Sequence, residues 1–367
     1  MDFEVTTPQK NSNFDDDHQY HKGVRYLCEK GLTKLPSKYI FPAQEQPITS
    51  QLTDSDHLEL RLPVIDFSQL LGPDRSYVLR SLSKACEEYG FFQLVNHGIS
   101  SEVSENMIKI CKEFFELPFS ERSKYMNKDM RALVRCGTSF NQNKDKVFCW
   151  RDFLKLNCLP VAEALPSWPS SPSDLRKAAV TYANETRTVY LSVMEAILES
   201  LGVNDGEEIS MKDFEEGSQM LVVNCYPSCP EPDLTLGMPP HSDYGMLTML
   251  LQDEVQGLQI RHAGKWIAVK PIPGSFVVNV GDHLEIFSNG IFKSVLHRVL
   301  VNSQQSRISV ASLHSLGFER MIRPAAQLIN ERMVRRYMDT DFGSFLKYLS
   351  SDDKNRSRTF LDSRKLT

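Results

Sequence analysis

The sequence of 367 residues contains no run of 18 apolar residues, so nothing in it predicts a membrane-spanning helix. Its first 21 residues lack the basic and apolar segments of a secretory signal, which makes the cytoplasm the expected compartment. An excess of positive charge is also missing, since 42 Lys and Arg against 47 Asp and Glu give a net charge of -5. This balance excludes the basic surface that is typical of nucleic-acid-binding proteins.

Closely spaced cysteines are scarce as well. Of the eight cysteines, only Cys225 and Cys229 lie within a few residues of each other. A zinc site built from cysteines needs a second close pair, so none is predicted. In a long chain without a secretory signal, the expected state of all eight is the reduced thiol.

Local patterns divide the chain into four predicted segments, within a length that allows one domain with a large core. They are a disordered acidic tail (1–20), an N-terminal helical region (21–210), a β-rich core (211–325) and a C-terminal helix with a mobile tail (326–367). Helical spacing and capping residues predict helices over 76–89, 101–117, 174–201 and 330–349.

Short β-type runs separated by turns fill residues 219 to 315. One turn, HAGK at 262–265, contains a glycine that suits a hairpin. Many short strands at regular spacing are typical of a β-sandwich or barrel. The predicted fold class is therefore mainly β with helical additions.

Two histidines and an aspartate form the most informative pattern in the chain. His241 and Asp243 lie in HSDYG, and His297 follows Asp243 by 54 positions in VLHRV. Alone, His241 and Asp243 are more simply explained as a loop histidine beside a turn aspartate. With His297, they offer two imidazoles and a carboxylate to one divalent metal and leave three octahedral positions open, which indicates catalysis.

A possible acid-binding pair follows ten residues after the third ligand. If RISVASL (307–313) is a strand, Arg307 and Ser309 share a face with Leu313, while Ile308 points the other way. An inward guanidinium and hydroxyl suit a carboxylate guest, because arginine binds carboxylates through two parallel hydrogen bonds. The alternative for Arg307 is an ordinary surface ion pair.

Several motifs, in the same order, resemble those of the plant 2-oxoglutarate- and Fe(II)-dependent dioxygenases, which belong to the isopenicillin N synthase-like superfamily. The resemblance runs from about residue 60 through the RIS motif at 307–309 and beyond. The motifs that carry it are LPVIDFSQL (62–70), YGFFQLVNHGI (89–99), FFELPFSERSKY (114–125), CWRDFLKL (149–156), NCYPSCPEPDLTLGMPPHSDYGMLTMLL (224–251) and VNVGDHLEIFSNGIFKSVLHRVLVN (278–302).

The resemblance implies a fold and a reaction. The expected core is a distorted double-stranded β-helix, or jelly roll, preceded by a helical N-terminal region. His241, Asp243 and His297 would hold Fe(2+), and 2-oxoglutarate and O2 would be co-substrates, with ascorbate in a supporting role. A small molecule would be hydroxylated, desaturated or demethylated while 2-oxoglutarate is converted to succinate and CO2.

The same resemblance implies a binding site for 2-oxoglutarate. Its distal carboxylate would meet Arg307 and Ser309. Asn224 and Tyr226 match family positions near the co-substrate, where the tyrosine hydroxyl could donate a hydrogen bond. A strand amide and a packed aromatic side chain remain the alternatives for these two residues.

Family position, without a specific motif, suggests which residues approach the oxidised substrate: Phe140, Phe153, Val222, Leu313 and Ser315. Such a wall is largely apolar and favours an aromatic or terpenoid-like specialised metabolite or hormone over a sugar. Flavonoids, alkaloids, phenolics and hormones all remain open. No partner beyond this small molecule is expected, and the protein is expected to be a monomer.

The sequence also departs from the family pattern. Cys225 stands where an aromatic residue is usual, Ser228 lies in the loop after Pro227, and His283 replaces a common amide residue. His283 lacks a partner at ligand spacing and is interpreted as a turn or core histidine, and His97 as structural.

Three other functions remain open at this point. An oxidase of the same fold that does not use 2-oxoglutarate would release no succinate. A catalytically silent binding protein would not decarboxylate 2-oxoglutarate. A zinc hydrolase could use the same three ligands, but it would give Arg307 no purpose.

Overall fold

The computed structural model describes residues 17–47, 61–142, 145–203, 209–350 and 359–366. Its α-helices are α1 Asp17–Tyr20, α2 Val24–Glu29, α3 Phe67–Leu70, α4 Arg75–Glu88, α5 Ser101–Glu116, α6 Phe119–Arg122, α7 Val161–Ala164, α8 Leu175–Leu201, α9 Met211–Glu215, α10 Asp282–Phe287 and α11 Phe342–Ser350. Its strands are β1 Val64–Asp66, β2 Phe91–Val95, β3 Val134–Thr138, β4 Asp152–Asn157, β5 Ser218–Tyr226, β6 Met238–His241, β7 Leu247–Gln252, β8 Leu258–His262, β9 Lys265–Ala268, β10 Phe276–Val280, β11 His297–Val299 and β12 Arg307–Ser315.

The three long helices α4, α5 and α8 confirm the predictions over 76–89, 101–117 and 174–201 to within a residue or so. The capping residues explain the boundaries. Ser100 caps α5, because its hydroxyl accepts a hydrogen bond from the backbone N–H of Val103. Gly202 ends α8 in the left-handed conformation, with φ of 67°, which glycine adopts without strain.

Eight strands form the larger sheet, in the order β1-β2-β10-β7-β12-β5-β4-β3. Four of them, β1 to β4, come from the segment that was expected to be helical (21–210), so that description is incomplete. The strands add to both edges of the β-rich core. Leu154 and Leu156, two positions apart on β4, are both buried in the core cluster that contains helix α8, and this period of two is that of a strand.

The two faces of the larger sheet differ in what they contact. On strand β12, Ile308 and Val310 belong to the helix-lined core, and the ring of His314 stacks on Tyr190 of α8 with 4.2 Å between ring centroids. Arg307, Ser309, Ala311 and Leu313 alternate with these residues and face the other way. The predicted facing of the strand is thus confirmed for Ile308.

The smaller sheet has the order β6-β11-β8-β9. Its β8–β9 hairpin turns at Ala263 and Gly264, with φ of 47° and 79°, which confirms the predicted hairpin. Apolar clusters join the two sheets, one containing Phe91 and Val277 with Ile260, the other Tyr226 with Met238. The two facing sheets form the expected jelly-roll-like core, and the candidate site lies between them.

The N-terminal prediction needs correction where it meets the described residues. Residues 17–20, expected to be disordered, form α1, and Tyr20 is buried against Tyr39. Residues 1–16 lie outside the described residues. The following arm lies over the body of the protein, because the carboxylate of Asp152 accepts hydrogen bonds from the backbone N–H groups of Val24 and Arg25, both at 2.8 Å.

The predicted C-terminal helix over 330–349 is wrong in its first half. The Asn330 side chain accepts hydrogen bonds from the backbone of residues 332 and 333, forming a turn, and Thr340 pairs in a bridge with Ile322. The helix begins only after Asp341, whose carboxylate accepts from the backbone N–H of Ser344. Local turn and bridge pairing thus override the helical spacing.

The tail after this helix was predicted to be mobile, and for residues 359–366 that is wrong. Phe360 and Leu361 are buried, and the backbone of 364–366 pairs with residues 336–338. Residues 351–358 lie outside the described residues. Among the helices of the described part of the chain, none is both long and apolar enough to cross a membrane.

Candidate metal centre and co-substrate pocket

Strand pairing brings the three predicted metal ligands together. His241, at the end of β6, pairs directly with His297, at the start of β11, and Asp243 follows in the loop after β6. The Asp243 Oδ1 atom lies 3.7 Å from His241 Nε2 and 3.6 Å from His297 Nε2. The sequence separation of 54 positions thus becomes a contact between neighbouring strands.

Backbone carbonyls hold both imidazoles in one orientation. His241 Nδ1 lies 2.9 Å from the carbonyl oxygen of Pro239, and His297 Nδ1 lies 3.2 Å from that of Val295. A carbonyl only accepts hydrogen bonds, so each Nδ1 carries the proton and each Nε2 presents a lone pair to the centre of the group. Burial, and then the charge of His297, lower the pKa of His241 to about 3, which leaves its imidazole neutral at physiological pH.

Asp243 is oriented by an amide that the sequence analysis missed. Asn279 Nδ2 on β10 donates to Asp243 Oδ2 at 2.9 Å, which leaves Oδ1 directed at the histidines. Burial alone would raise the pKa of Asp243, but His297, His241 and this hydrogen bond hold it below its ordinary value. A buried asparagine within the apolar run FVVNV was the available sequence signal.

The donor set fits a divalent metal. One ligand atom from each of His241, Asp243 and His297 lies within 4.8 Å of the others. Two imidazole nitrogens and one carboxylate oxygen on one side of an ion are the ligands of the facial triad of non-haem Fe(II) oxygenases. The three residues can therefore hold iron and leave coordination positions open toward the cavity.

The Arg307 side chain is buried on the cavity face of the larger sheet, with 2% of its surface exposed. It donates from Nε to the carbonyl oxygen of Val255, from Nη1 to the hydroxyl of Ser309 and from Nη2 to Oε1 of Gln252, at 3.2, 3.2 and 2.9 Å. A guanidinium has five N–H donors, so two remain for a guest. Val255 and Gln252 were not predicted from the sequence, and no local motif singles them out.

The sheet register places the other expected co-substrate residues beside Arg307. Tyr226 is its direct partner on β5, with the guanidinium carbon 5.3 Å from the ring centroid. In the next row, Ser309 lies between Asn224 and Gln252. The Asn224 amide donates only to the carbonyl of Val222, and its buried Oδ1 has no partner among the described residues.

The residues expected near the oxidised substrate occupy the same face of the sheet, in successive rows. Phe153 pairs with Asn224, Val222 with Ala311, and Leu313 with Thr248. The Leu313 row continues through Thr248 to Asn279, the partner of Asp243, and so ends beside the metal ligands.

Phe140 and Ser315 are the remaining expected substrate residues. The ring of Phe140 lies 6.1 Å from that of His241, which places it at the metal centre. Ser315 lies at the far end of β12, where its hydroxyl is 2.7 Å from Nδ1 of His283. His283 is buried in α10, which confirms its interpretation as a core histidine, and His97 is structural, with both ring nitrogens engaged by backbone groups.

Three basic side chains on the cavity face were missed. Arg135 and Lys155 pair across β3 and β4, and Arg151 immediately precedes β4. Arg135 and Arg151 are buried, with 3% and 5% of their surface exposed. Arg151, Phe153 and Lys155 alternate with Asp152 and Leu154, which is the spacing of one face of a strand, but no local motif marks that face as part of a site.

Comparison with known proteins agrees with this site. Residues 217–315 match the 2OG-Fe(II) oxygenase superfamily, and residues 62–173 match the N-terminal region of the non-haem dioxygenases in morphine synthesis. Protein DMR6-LIKE OXYGENASE 2 of Arabidopsis thaliana is 42% identical over 81% of this chain and 84% of its own length. Flavanone 3-dioxygenase 2 of Oryza sativa subsp. japonica is 40% identical over 85% of this chain and 89% of its own.

Among solved structures, JOX2 in complex with 2OG, Fe and JA superposes with a TM-score of 0.82 at 32% identity, covering 94% of this chain and 98% of that one. The fold and the metal ligands define a non-haem oxygenase of the jelly-roll class. The chain belongs to the 2OG-Fe(II) oxygenase superfamily, and its relatives are 2-oxoglutarate-dependent dioxygenases of plants.

Proposed function

We propose that this protein oxidises a small organic molecule, with His241, Asp243 and His297 as iron ligands and Arg307 as the anchor for 2-oxoglutarate. The observation that carries the proposal is the pair of unused N–H donors on Arg307, buried in the same cavity as the two free Nε2 atoms. Two parallel donors suit one carboxylate. In this proposal a dicarboxylate co-substrate binds Arg307 through its distal carboxylate and the metal through its other end.

Each side chain has a separate task in this proposal. Arg307 and Ser309 bind the distal carboxylate, and Gln252 fixes the plane of the guanidinium. Tyr226 lines the same end, where burial raises the pKa of its phenol and keeps the hydroxyl protonated as a donor. When bound, Fe(II) activates dioxygen and 2-oxoglutarate supplies two electrons as it becomes succinate and CO2.

The oxidised substrate belongs against strands β3 to β5, beside the pocket of the co-substrate. Phe140, Phe153, Val222 and Leu313 give this wall an apolar character that suits an aromatic or alicyclic body. Hydroxylation is the expected outcome, with desaturation or demethylation as variants that use the same oxidising equivalent. Plant relatives such as Flavanone 3-dioxygenase 2 and Feruloyl CoA ortho-hydroxylase 2, whose names specify aromatic substrates, support this class.

The proposal is tested by anaerobic titration of the metal-depleted full chain, first with Fe(II) and then with 2-oxoglutarate. A metal-to-ligand charge-transfer band should appear only after the second addition. Arg307→Ala, at the same 2-oxoglutarate concentration, should lack the band although it binds Fe(II). The absence of the band from wild type would overturn the proposal.

The rival functions give different results in the same experiment. An oxidase of this fold that does not use 2-oxoglutarate would oxidise substrate without releasing succinate. A silent binding protein would show no decarboxylation after oxygen is admitted, and a zinc hydrolase would be active with Zn(II) in place of Fe(II). Succinate release that requires both Fe(II) and oxygen excludes all three.

A further inference from the structure

Two buried arginines meet at one aromatic ring on the substrate side of the cavity. The guanidinium carbon of Arg135 lies 5.0 Å from the ring centroid of Phe153, and that of Arg151 lies 4.8 Å from it. Arg135 lies on β3, and Arg151 is the residue before β4, the strand that pairs with β3.

Arg151 lies between the two sheets. Its guanidinium contacts Phe153 on the larger sheet, and Nη1 donates to Sδ of Met238, on β6 of the smaller sheet, at 2.9 Å. Met238 and the metal ligand His241 are the first and last residues of β6. The guanidinium is therefore in the cavity that contains the metal ligands.

Arg135 faces the same cavity. It pairs with Lys155, Lys155 pairs with Val222, and Val222 pairs with Ala311, so all four side chains leave the sheet on one side. Val134 and Cys136, its neighbours on β3, point the other way into the helix-lined core. The row of Arg135 is next to the row that contains Phe153 and Asn224.

Neither arginine has a carboxylate partner within ion-pair distance among the described residues. Arg135 Nε donates to the carbonyl of Asn127, and Arg151 Nε is buried without any partner. Of the nearest acids, Asp145 already accepts hydrogen bonds from Ser139 and from the backbone at 140 and 141. Asp129 acts on Arg135 only at longer range.

Burying unpaired cations is costly, and contact with the Phe153 ring offsets only part of that cost. A third cation, Lys155, adds to the positive potential, although its ammonium group donates to the carbonyl of Met130. 2-Oxoglutarate does not neutralise this charge if its distal carboxylate is bound by Arg307. A second acidic group in the cavity would neutralise it.

We infer that the oxidised substrate is a compact carboxylic acid whose carboxylate binds between Arg135 and Arg151, with its apolar body beside Phe153. This inference rests on the proposed function and names its substrate class. Arginine favours a carboxylate because parallel N–H donors match its two oxygens. The apolar side chains of Phe140 and Val222 then contact the ring or chain of the acid and not its charge.

The test compares each acid with its uncharged amide. Wild-type protein, loaded anaerobically with Fe(II) and 2-oxoglutarate, is titrated in a calorimeter with benzoate and benzamide, cinnamate and cinnamamide, and indole-3-acetate and indole-3-acetamide. At least one acid should bind on the order of tenfold or more tighter than its amide. Failure of every acid to exceed its amide, or to bind at all, overturns the inference.

Arg135→Gln and Arg151→Gln should each remove the preference for the acid and leave the affinity for the amide close to wild type. The matched control is Arg176→Gln on α8, because Arg176 also donates to backbone carbonyls, those of Pro166 and Trp168, but lies outside the cavity. An acid preference that survives both cavity variants would show that the arginines have only a packing role.

Stability separates a binding role from a structural one. Because Arg151 is an uncompensated cation, Arg151→Met should unfold at the same temperature as ligand-free wild type or higher, yet lose the acid preference. A lower melting temperature with intact acid preference would assign Arg151 to the core. If the variants at 151 do not fold, Arg135→Gln tests the same carboxylate contact.

The proposed function is checked separately in every sample by the charge-transfer band. A wild-type protein that gives the band but does not distinguish acids from amides retains its oxygenase assignment and loses this inference. A wild-type protein without the band loses the proposed function, whatever the acids do.

Discussion

Arg307 and Arg151 lie at the same end of the cavity, on either side of Tyr226, but the chain holds them in opposite ways. Arg307 donates to three neutral oxygen acceptors, those of Val255, Ser309 and Gln252. Arg151 donates only to the soft sulfur of Met238, and its Nε has no partner. A guanidinium fixed at three points presents its free donors in one geometry, whereas a guanidinium fixed at one point can adjust to its guest.

The difference matches the two kinds of guest that such an enzyme must bind. Every enzyme that uses 2-oxoglutarate binds the same co-substrate, so a rigid anchor costs nothing in adaptability and lowers the entropy lost on binding. In the proposed function the β3–β4 wall, formed by Arg135, Arg151, Phe153 and Lys155, faces the molecule that differs between enzymes of one fold. Specificity is therefore expected to depend on β3, β4 and the Leu313 end of β12, and co-substrate affinity on Gln252 of β7 and the Arg307 end of β12.

The largest effects are expected from the metal ligands, because oxidation of the substrate and conversion of 2-oxoglutarate both depend on them. His241→Ala, Asp243→Ala and His297→Ala should each abolish turnover and leave the fold intact, since each removes one of three protein ligands. Fe(II) binding, succinate release and thermal melting are the measurements. Turnover above a small fraction of wild type in Asp243→Ala would remove the triad assignment.

Asn279→Ala should cause a smaller loss than these variants. It keeps all three ligands and removes the hydrogen bond that orients Asp243, so metal affinity or activity should fall by about 10–100-fold. A loss as complete as that of Asp243→Ala would mean that Asn279 does more than orient the carboxylate.

The second test removes only Arg307, the arginine that is held by three hydrogen bonds. Arg307→Ala should leave Fe(II) binding close to wild type and weaken 2-oxoglutarate binding by about 2–5 kcal/mol, because a charge-assisted pair is lost in a buried site. Arg307→Lys should restore little, since an ammonium group lacks the planar fork of donors. If Arg307→Ala binds 2-oxoglutarate as well as wild type does, the anchor assignment is wrong even if the metal site is right.

The third test uses a residue of β12 to separate effects on the oxidised substrate from effects on 2-oxoglutarate. Leu313 shares a row with Thr248 and Asn279, next to the metal ligands. Leu313→Ala or Leu313→Phe should change the affinity for the oxidised substrate or the carbon that is oxidised, by about 1–3 kcal/mol, and leave the 2-oxoglutarate requirement near wild type.

Ile308→Val on the opposite face is the matched control. Ile308 is buried in the helix-lined core, so this change should cost only about 0.5–1.5 kcal/mol of stability. Steady-state kinetics for both co-substrates and thermal melting distinguish the two variants. Equal effects on substrate selectivity would show that the assigned facing of the strand is wrong.

The metal ligands and the co-substrate anchor could be predicted from the sequence alone, because their residue types rarely occur in this pattern without a chemical role. A structural role alone rarely explains two histidines and an aspartate followed by Arg307 and Ser309. Each of these residues also lies within a local motif that could be recognised in the sequence. The long helices were equally accessible, since Ser100 and Gly202 mark their ends. What these residues share is that the residue types around each of them form a recognisable motif, even where the partner, as for His297, is distant in the sequence.

The β3–β4 wall could not be predicted, because its meaning depends on pairing across the sheet. Arg135 and Arg151 are ordinary charges until the register places both at Phe153. Gln252 likewise acquires a role only where β7 pairs with β12. The C-terminal helix was predicted too long for a related reason: its first half pairs with a distant segment, through Thr340 and Ile322, and helical spacing does not register such a bridge.

The last expected effect concerns the two faces of the β3–β4 hairpin, where burial shifts the pKa values of side chains in opposite directions. On the cavity face, burial, with help from Arg135, lowers the pKa of Lys155 from its ordinary 10.5 to about 8. On the helix face, burial raises the pKa of the Cys136 thiol to about 12. Each face therefore favours the neutral form of its side chain.

The lowered pKa of Lys155 determines how the stability of the protein changes with pH. Below pH 8 both the folded and the unfolded chain carry the charge, and the folded state bears the full cost of burying it. Between pH 8 and 10.5 the folded chain loses the proton first, so the unfolded state binds more protons and this group's contribution to stability rises with pH. Lys155→Met removes that rise, which should be on the order of 1–2 kcal/mol for a partly exposed group.

The measurement is urea unfolding of wild type and Lys155→Met at pH 7, 8.5 and 10. The free-energy difference between the two proteins should shift in favour of wild type as the pH rises, whatever its value at pH 7, because loss of the Lys155 bond to Met130 is common to every pH. Lys84→Met, at an exposed lysine on α4, is the control and should show no such trend. A constant difference for Lys155→Met would mean that its ammonium group stays solvated, and the positive potential ascribed to the β3–β4 wall would then rest on Arg135 and Arg151 alone.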